Sequence, residues 1–436
     1  VVASPAVAPA PFAPHRAFLQ DGRRRGFYLS RPPHAGTGPA RGSAPLAAPA
    51  MSPAGTKGSS AMNPRILIIG GSMGGLFAAV LLARAGFDVR VRERSRHGLE
   101  GRGAGLVAQR EVFDMLREIG VEHVARVGVT APERIYLDRD DRIIHRQHMP
   151  QTQLSWDVLW RSFRAQVPAE RYRIDARAVA VDPAPAGARV RYEDGTEEEA
   201  DLVIGADGIG SRVRAAVSGP SAQPAYVGYA TWRGLVPEAD MPAVAARQLF
   251  ERFAFCDAPG SHILGYLVPG ADGATGVGHR RYNWVWYRRY TPEELGDVLT
   301  DRDGVRRPFS LAPGRVRPER VAALRAQAQE VLPPSFAAAV AAEAKPFIHA
   351  IFDYAPDHMV KGRIALMGDA AFVARPHTAM GVAKAAGDAF ALRDALRQHA
   401  DLDAALAAYG AARVPAGQAI VAYGQRLGRN LALNAG

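Results

Sequence analysis

Hydrophobic positions along this chain follow two rhythms, and the places where one gives way to the other mark its organisation. Arg65-Ile-Leu-Ile-Ile69 is a short run of branched apolar residues, the pattern of a strand buried on both faces. Leu76 to Ala85 is apolar or small nearly all round, as a buried helix is, and Gly86 stands where a helix-ending glycine belongs. Asp88-Val-Arg-Val-Arg92 is a second strand, so Arg65 to Glu93 predicts strand, turn, helix, strand. Further on, Glu111 to Ile119 predicts a helix closed by Gly120, and Ser155 to Gln166 another. Arg134-Ile-Tyr-Leu137 and Arg142-Ile-Ile-His145 are strand-like around a charged turn, Asp138 to Asp141. A hairpin begins at Ala188 and turns at Asp194-Gly195, and Asp201-Leu-Val-Ile-Gly205 is a further buried strand.

Between 225 and 290 the rhythm shortens to two. Tyr226-Val-Gly-Tyr-Ala-Thr-Trp232-Arg233-Gly234, Ile263-Leu-Gly-Tyr-Leu-Val268 and Arg281-Tyr-Asn-Trp-Val-Trp-Tyr287 are rich in aromatic and β-branched residues, as a sheet would be. Alternation puts Tyr282, Trp284 and Trp286 on one face and Asn283, Val285 and Tyr287 on the other. The Ala-rich stretch 319–345 is helical. From Ile351 onward the pattern predicts one more strand and long helices that return to the first domain.

Hydropathy alone would flag Ile66 to Ala83 as a membrane span, but four glycines and a serine inside a strand–turn–helix pattern favour a buried unit; no membrane partner is expected. The single cysteine, Cys256, excludes an intramolecular disulfide framework and suits a reducing cytoplasm. Residues 1–61 lack periodicity, are rich in Ala, Pro, Gly and Ser, and carry seven basic residues against one acid. They are expected to be a disordered or non-native extension, with Met62 as a natural start. That segment supplies over half of the formal +11, and only four of the 54 basic residues are lysines. Nucleic acid is therefore not expected as a partner.

Three glycine constellations carry the chemistry. In the first, Gly70-Gly-Ser-Met-Gly-Gly75 follows a strand and opens a helix, with Glu93 at the tip of the next strand, 23 positions after Gly70. Glycines let backbone approach a pyrophosphate, the helix N-terminus offers free N–H groups, and an acid there can accept from ribose hydroxyls. Ser72 holds the place of the middle glycine in the usual G-x-G-x-x-G. The second is Asp207-Gly208-x-x-Ser211-x-x-Arg214, which taken alone is also the pattern of a well-capped βα junction. The third is Gly368-Asp369-Ala-Ala-Phe372, followed by Arg375-Pro-His377-Thr-Ala-Met380-Gly381-Val382-Ala-Lys384.

At this order and separation, from Met62 to about Tyr423, the three constellations resemble those of the single-component FAD-dependent aromatic hydroxylases, the p-hydroxybenzoate hydroxylase-like flavoprotein monooxygenases. Gly103-Ala-Gly-Leu-Val-Ala-Gln109, Tyr226 to Gly234, Asn283 to Trp286 and Arg375 to Gly381 with Lys384 are similar to the hydroxypyridine-hydroxylating branch of that family. Where the commoner loop has His and Asn, Phe372 and Ala383 stand here, so the usual phenol hydroxylases fit less well. The resemblance implies an α/β fold: a Rossmann-like FAD-binding domain from 62–224 and 350–436, interleaved with a mainly antiparallel β-sheet substrate domain at 225–349, to which part of 130–155 contributes.

It also implies roles. Gly70, Ser72, Met73, Gly74 and Gly75 would hold the pyrophosphate, Glu93 the adenosine ribose, and Gln109 would lie along the flavin chain. Asp207 would help build the FAD site, and Gly368 and Asp369 the ribityl or pyrophosphate region. Amides near Met380, Gly381 and Val382 would face the flavin ring, where the helix dipole favours its anionic reduced form. NADH or NADPH would reduce FAD, and O₂ would be activated as the flavin C4a-hydroperoxide to hydroxylate an electron-rich, small aromatic substrate such as a hydroxylated pyridine. His377 and Arg375 are the candidate catalytic residues, and Trp232, Arg233, Trp284 and Trp286 the candidate substrate contacts; His262 and His279 are secondary candidates. No metal is expected, and a homodimer is the family expectation. A flavin-dependent halogenase shares the fold, but Tyr287-Arg288-Arg289 follows Trp284 and Trp286 where it would show W-x-W-x-I-P. A phenolic or natural-product substrate, or a flavin-binding protein without hydroxylase activity, are the remaining alternatives.

Overall fold

The computed structural model describes residues 64–100, 105–107, 109–122, 124 and 128–429. The N-terminal extension and Gly101 to Ala104, just before the Gly105–Val107 strand, lie outside them. Residues Met62–Gly436 cluster as one unit.

Among the described residues, a six-stranded sheet runs in the order Val360–Lys361, Ile364–Leu366, Leu202–Gly205, Arg65–Ile69, Asp88–Arg92, Tyr172–Arg173. The pairs that join Ile364–Leu366 through to Tyr172–Arg173 are parallel. Its central strand is buried from Ile66 to Ile69, as an unbroken apolar run requires. The Met73–Arg84 helix covers one face and is buried along Leu76 to Leu82, with almost no polar side. Gly381–Gln398 and the 28-residue Leu402–Arg429 helix pack with it around one core that includes Leu392, Leu396, Leu406 and Tyr409. These two helices return from the far end of the chain, as the pattern predicted.

The second sheet has nine strands among the described residues, in the order Ser310–Leu311, Phe347–Asp353, Ala225–Pro237, Arg281–Arg289, Ser261–Val268, Arg252–Ala258, Val129–Leu137, Ile143–Ser155, Gly105–Val107. All pairings are antiparallel except that of Arg252–Ala258 with Val129–Leu137. The early strands at 129–155 belong to this sheet, and Ile143–Ser155 runs well beyond the predicted Arg142–His145. The Phe347–Asp353 strand crosses residue 350 and pairs with Ala225–Pro237. The Ala-rich region forms two helices, Pro318–Val331 and Pro334–Ala342, because Pro333 and Pro334 cannot donate into a continuing helix.

Alternation divides the two faces of this sheet as the sequence predicted. Trp232, Trp284, Trp286, Tyr282 and Ile263 pack with Leu324, Phe336 and Val340 of the covering helices. Tyr229, Val285, Tyr287 and Ile351 form a separate cluster on the other face. The three tryptophans named as candidate substrate contacts lie in the helix-side core, each at most 2% exposed. A Cβ at Gly234 would meet the Trp284 indole at 2.4 Å, which shows how tightly that ring is seated. Arg233 alone of the four candidate contacts lies on the opposite face.

Candidate active site

The first turn is shaped by backbone crowding. Gly70 has φ +111°, and a Cβ there would lie 2.2 Å from the Ala206 carbonyl oxygen. A Cβ at Gly71 would meet the Tyr172 hydroxyl at 2.1 Å, and one at Gly75 the Gly70 carbonyl at 1.9 Å. Ser72, by contrast, has φ −81° and caps the helix without a side-chain hydrogen bond, so this position does not demand glycine. No acid occupies the first turn of the Met73–Arg84 helix, which leaves its N-terminal dipole uncompensated. Glu93 is 4% exposed; its carboxylate accepts from the Gly71 and Ser95 amides, both at 2.8 Å.

The Asp207 carboxylate accepts from Ser211 Oγ and from the Arg212 amide at 2.7 Å, so it caps the helix Val213–Ser218. Burial pushes its pKa up. Arg214 links this motif to the third. Its guanidinium donates to the carbonyls of Asp369 at 3.2 Å and Ala370 at 3.3 Å and stacks over Tyr354.

Around Gly368 (φ +59°), the amide donates to the fully buried Asp388 at 2.8 Å, and Arg413 Nε holds the other oxygen of Asp388 at 2.6 Å. Lys384, 2% exposed, pairs with Asp369 at 2.8 Å and donates to the Phe372 carbonyl. Half of the Asp369 side chain stays exposed, free to meet a hydroxyl. Ideal Cβ atoms at Gly74 and Gly368 would each lie 3.6 Å from Ala385 Cβ, so the first and third turns flank one residue of the Gly381–Gln398 helix. Gln109 Nε2 donates to the Ala379 carbonyl at 2.8 Å, which ties the start of the Arg110–Glu118 helix to the third motif. Ala379 is left-handed (φ +56°), Met380 caps the helix, and a Cβ at Gly381 would meet nothing within 4 Å. The Gly381 backbone is therefore open in front of an 18-residue helix whose first turn carries no acid.

The Arg375–Gly381 loop sits over the polar face of the nine-stranded sheet. The His377 ring is 6.3 Å from Tyr287, and the Arg375 guanidinium 5.9 Å from Tyr229. Arg375 is held two-pronged by Asp353 at 3.0 and 2.8 Å, so its charge is already matched. Burial, with Arg375 and His262 nearby, brings the His377 pKa down to about 4. The ring is therefore neutral at pH 7. Its Nε2 lies 3.0 Å from the Gly424 carbonyl, an acceptor only, so Nε2 carries the proton and Nδ1 is the bare acceptor. Nδ1 is buried without a partner. His262 bonds Asp257 at 2.7 Å with its ring 5.7 Å from Tyr287, whereas His279 is exposed in a loop.

Lys384, quoted in the third motif without a role, forms with Asp388 and Arg413 the buried frame under that motif, and His349 and Tyr229 join the loop-side face; none of the five was assigned a role from the sequence. For Lys384 a signal existed: a lysine in a first helical turn otherwise made of Gly, Val and Ala. For Arg413 and His349 none did, since only the fold brings them in. Among the described residues, no group of His, Cys, Asp and Glu has metal-holding geometry, and no helix is long and apolar enough to cross a membrane.

Comparisons with known proteins agree with this geometry. Residues 226–353 match a family model described as FAD binding domain-like, and residues 323–423 one described as FAD binding domain. The chain is 31% identical over 365 residues to 2,6-dihydroxypyridine 3-monooxygenase of Paenarthrobacter nicotinovorans, covering 83% of this chain and 89% of that one. It is 27% identical to 6-hydroxynicotinate 3-monooxygenase of Bordetella bronchiseptica, covering 75% of this chain and 81% of the relative. The solved structure of 2,6-dihydroxypyridine-3-hydroxylase from Arthrobacter nicotinovorans superposes with a TM-score of 0.80 at 30% identity, covering 86% and 95% of the two chains. The chain belongs to the FAD-dependent aromatic-ring monooxygenases of the p-hydroxybenzoate hydroxylase type.

Proposed function

We propose that this monooxygenase hydroxylates an electron-rich, hydroxylated pyridine bound between the polar face of the nine-stranded sheet and the Arg375–Gly381 loop. The observation that supports it most is the bare, buried Nδ1 of a neutral His377 above that face, a hydrogen-bond acceptor placed where a ring hydroxyl needs one. Relatives that share most of the chain act, by their names, on 2,6-dihydroxypyridine and 6-hydroxynicotinate.

FAD fits the residues present. Gly70 and Gly75 let the chain turn tightly where a Cβ would strike backbone, and two helix N-termini without first-turn acids offer free amides. In this reading Gly70, Ser72, Met73, Gly74 and Gly75 hold the pyrophosphate; Glu93 the ribose; Gln109, Asp207, Gly368 and Asp369 the chain between; and Met380, Gly381 and Val382 the ring edge. When bound and reduced by NADH or NADPH, FAD activates O₂ and supplies the oxygen atom. The protein then binds the ring, excludes water and lets His377 Nδ1 accept a hydrogen bond from a ring hydroxyl, which shifts electron density into the ring and makes it more nucleophilic. Asp353 positions Arg375, and Gly424 fixes the His377 tautomer. The reading includes a cytoplasmic homodimer.

Purified protein with bound flavin should oxidise NAD(P)H faster with 2,6-dihydroxypyridine present and yield a product heavier by one oxygen. Stimulation by phenols but not by any hydroxypyridine would move the substrate to a phenolic or natural-product ring. Flavin without stimulation by either would remove the hydroxylase reading.

A further inference from the structure

Two carboxamides on the loop side of the nine-stranded sheet are fully buried with nothing to bond. Asn283 and Gln153 are each 0% exposed. Neither Nδ2 and Oδ1 of Asn283 nor Nε2 and Oε1 of Gln153 has a hydrogen-bond partner. A buried amide with donor and acceptor both unmade is costly. On the helix side the unpartnered atoms include Tyr282 Oη and Nε1 of Trp284 and Trp286, which belong to rings whose bulk fills the core. Asn283 and Gln153 bring no such bulk, so core packing does not account for them.

The strands that carry the two amides are far apart in the order of the sheet, yet they close on one another. Arg281 Nη2 donates to Ser155 Oγ at 3.1 Å, and Tyr266 Oη donates to the Gly105 carbonyl at 3.4 Å. A Cβ at Gly105 would lie 3.4 Å from Asn283 Cγ. Gly105 pairs with Ser155 and Val107 with Gln153, so alternation turns Gln153 toward the side on which Gly105 meets Asn283. Val107 packs there with Tyr266 and Val268. Leu235, paired with Asn283, and Val107, paired with Gln153, are only partly buried, so accessible surface begins at the strand neighbour of each amide. Along its strand Asn283 stands four residues, about 13 Å, from Tyr287, whose ring lies against His377. A dihydroxylated ring with a hydrogen bond at either end spans on the order of 10 Å. One ring can therefore meet His377 Nδ1 at one edge and the amides at the other.

We infer that Asn283 and Gln153 read the lactam edge of the substrate, the N–H beside a C=O that a pyridine hydroxylated next to its nitrogen carries. A carboxamide presents the same two groups in the complementary order, donor to acceptor and acceptor to donor. A phenol has no ring N–H and would leave the amide carbonyls unpaired, so the pair selects for the N-heterocycle. The inference rests on the proposed hydroxypyridine reading and deepens it, because it names the neutral lactam as the form recognised.

The test is equilibrium binding to the FAD-loaded enzyme without O₂, followed by the shift of the flavin absorbance, with three probes. They are 2,6-dihydroxypyridine, its N-methylated lactam 6-hydroxy-1-methyl-2-pyridone, and the carbocycle resorcinol. Wild type should hold the first about 10- to 100-fold more tightly than the other two, which lack the ring N–H. Asn283→Leu and Gln153→Leu should each weaken 2,6-dihydroxypyridine by about tenfold or more and the other two by less than about threefold. Both variants should keep wild-type flavin content and a urea midpoint no lower than wild type, since each removes an unpaired buried amide. A merely structural amide would lower the midpoint and leave the preference among the probes unchanged. Wild type that binds all three probes alike overturns the inference without any variant having to fold, and so does an equal loss for all three in both variants. Turnover of phenols with no binding of any hydroxypyridine instead removes the hydroxypyridine reading itself, and this inference with it.

Discussion

The two faces of the nine-stranded sheet are made by the same strands, one residue out of step, yet they hold opposite chemistry. On the helix side Trp232, Trp284, Trp286 and Tyr282 close into a dry core, none more than 2% exposed. On the loop side Tyr287 and Tyr229 lie against His377 and Arg375 of the Arg375–Gly381 loop, and Arg233, His262 and His349 share their face; buried polar atoms without a partner occur on both sides. Tryptophan size earned attention in the sequence, but size is what a core needs. A ligand face needs groups that can exchange protons or charge, and the loop side interleaves its aromatic rings with Arg233, His262 and His349.

The sharpest way to break this contrast is to open the helix side. Trp284→Ala should cost about 3–5 kcal/mol by lost burial and an unfilled cavity, read as a lower urea midpoint of the FAD-loaded protein. The surviving folded enzyme should keep its kinetic constants within a few-fold. A large drop in kcat at unchanged stability would mean that Trp284 touches the ring and that the faces are assigned the wrong way round.

On the loop side, Asp353→Asn should come next. Asp353 and Arg375 are 11% and 16% exposed at their side chains, so removing the carboxylate leaves a mostly buried guanidinium unpaired. The expected loss is about 2–4 kcal/mol, somewhat under that of a fully buried pair. Unlike the tryptophan change, it should also shift KM, because Arg375 would be free to turn toward the ligand space. Unchanged KM alongside the stability loss would make the pair purely structural.

How much of this was legible beforehand follows from what each residue answers to. The Rossmann-like unit was readable because a buried parallel strand, a glycine turn and an all-apolar helix each leave a local trace, and Gly70 and Gly75 sit where a Cβ has no room. The period of two assigned Asn283, Val285 and Tyr287 to one face correctly, but it could not say which face the helices would cover. That depends on Phe336 and Leu324, about 40 to 50 residues away from Trp284 in sequence and invisible to alternation. Likewise Gly424, 47 residues from His377, fixes its tautomer through a backbone carbonyl that any residue would supply. Tertiary partners of this kind leave no local signal.

A smaller effect separates the faces by pH. His377 has its ordinary pKa near 6.5 when unfolded and about 4 when folded. As pH falls below about 6.5 the unfolded chain takes up a proton that the folded one refuses until about 4, so stability falls through that window. At pH 5 this amounts to about 2 kcal/mol. His377→Gln should flatten the stability difference between pH 7 and pH 5 by that amount, measured by urea unfolding at both values. An unchanged slope would mean that His377 titrates normally and is not the neutral acceptor the site requires.

The smallest change expected tests whether the two faces are insulated at a single strand. Cys256 lies between Phe255 and Asp257, which belong to the loop side, yet its thiol packs with Leu137 and Ile263 on the helix side and is 2% exposed. Burial pushes its pKa up to about 12, so it stays a neutral, apolar filler. Cys256→Ala should cost about 1 kcal/mol or less, the price of a small cavity, and leave kcat, KM and their pH profiles as they were. Asp257, one residue on, holds His262 beneath Tyr287, so any strand shift caused by the smaller side chain would reach the ligand face through that pair. A changed pH profile in Cys256→Ala would therefore show that the strands transmit packing from the core to the site, and that the period of two divides their side chains without dividing their function.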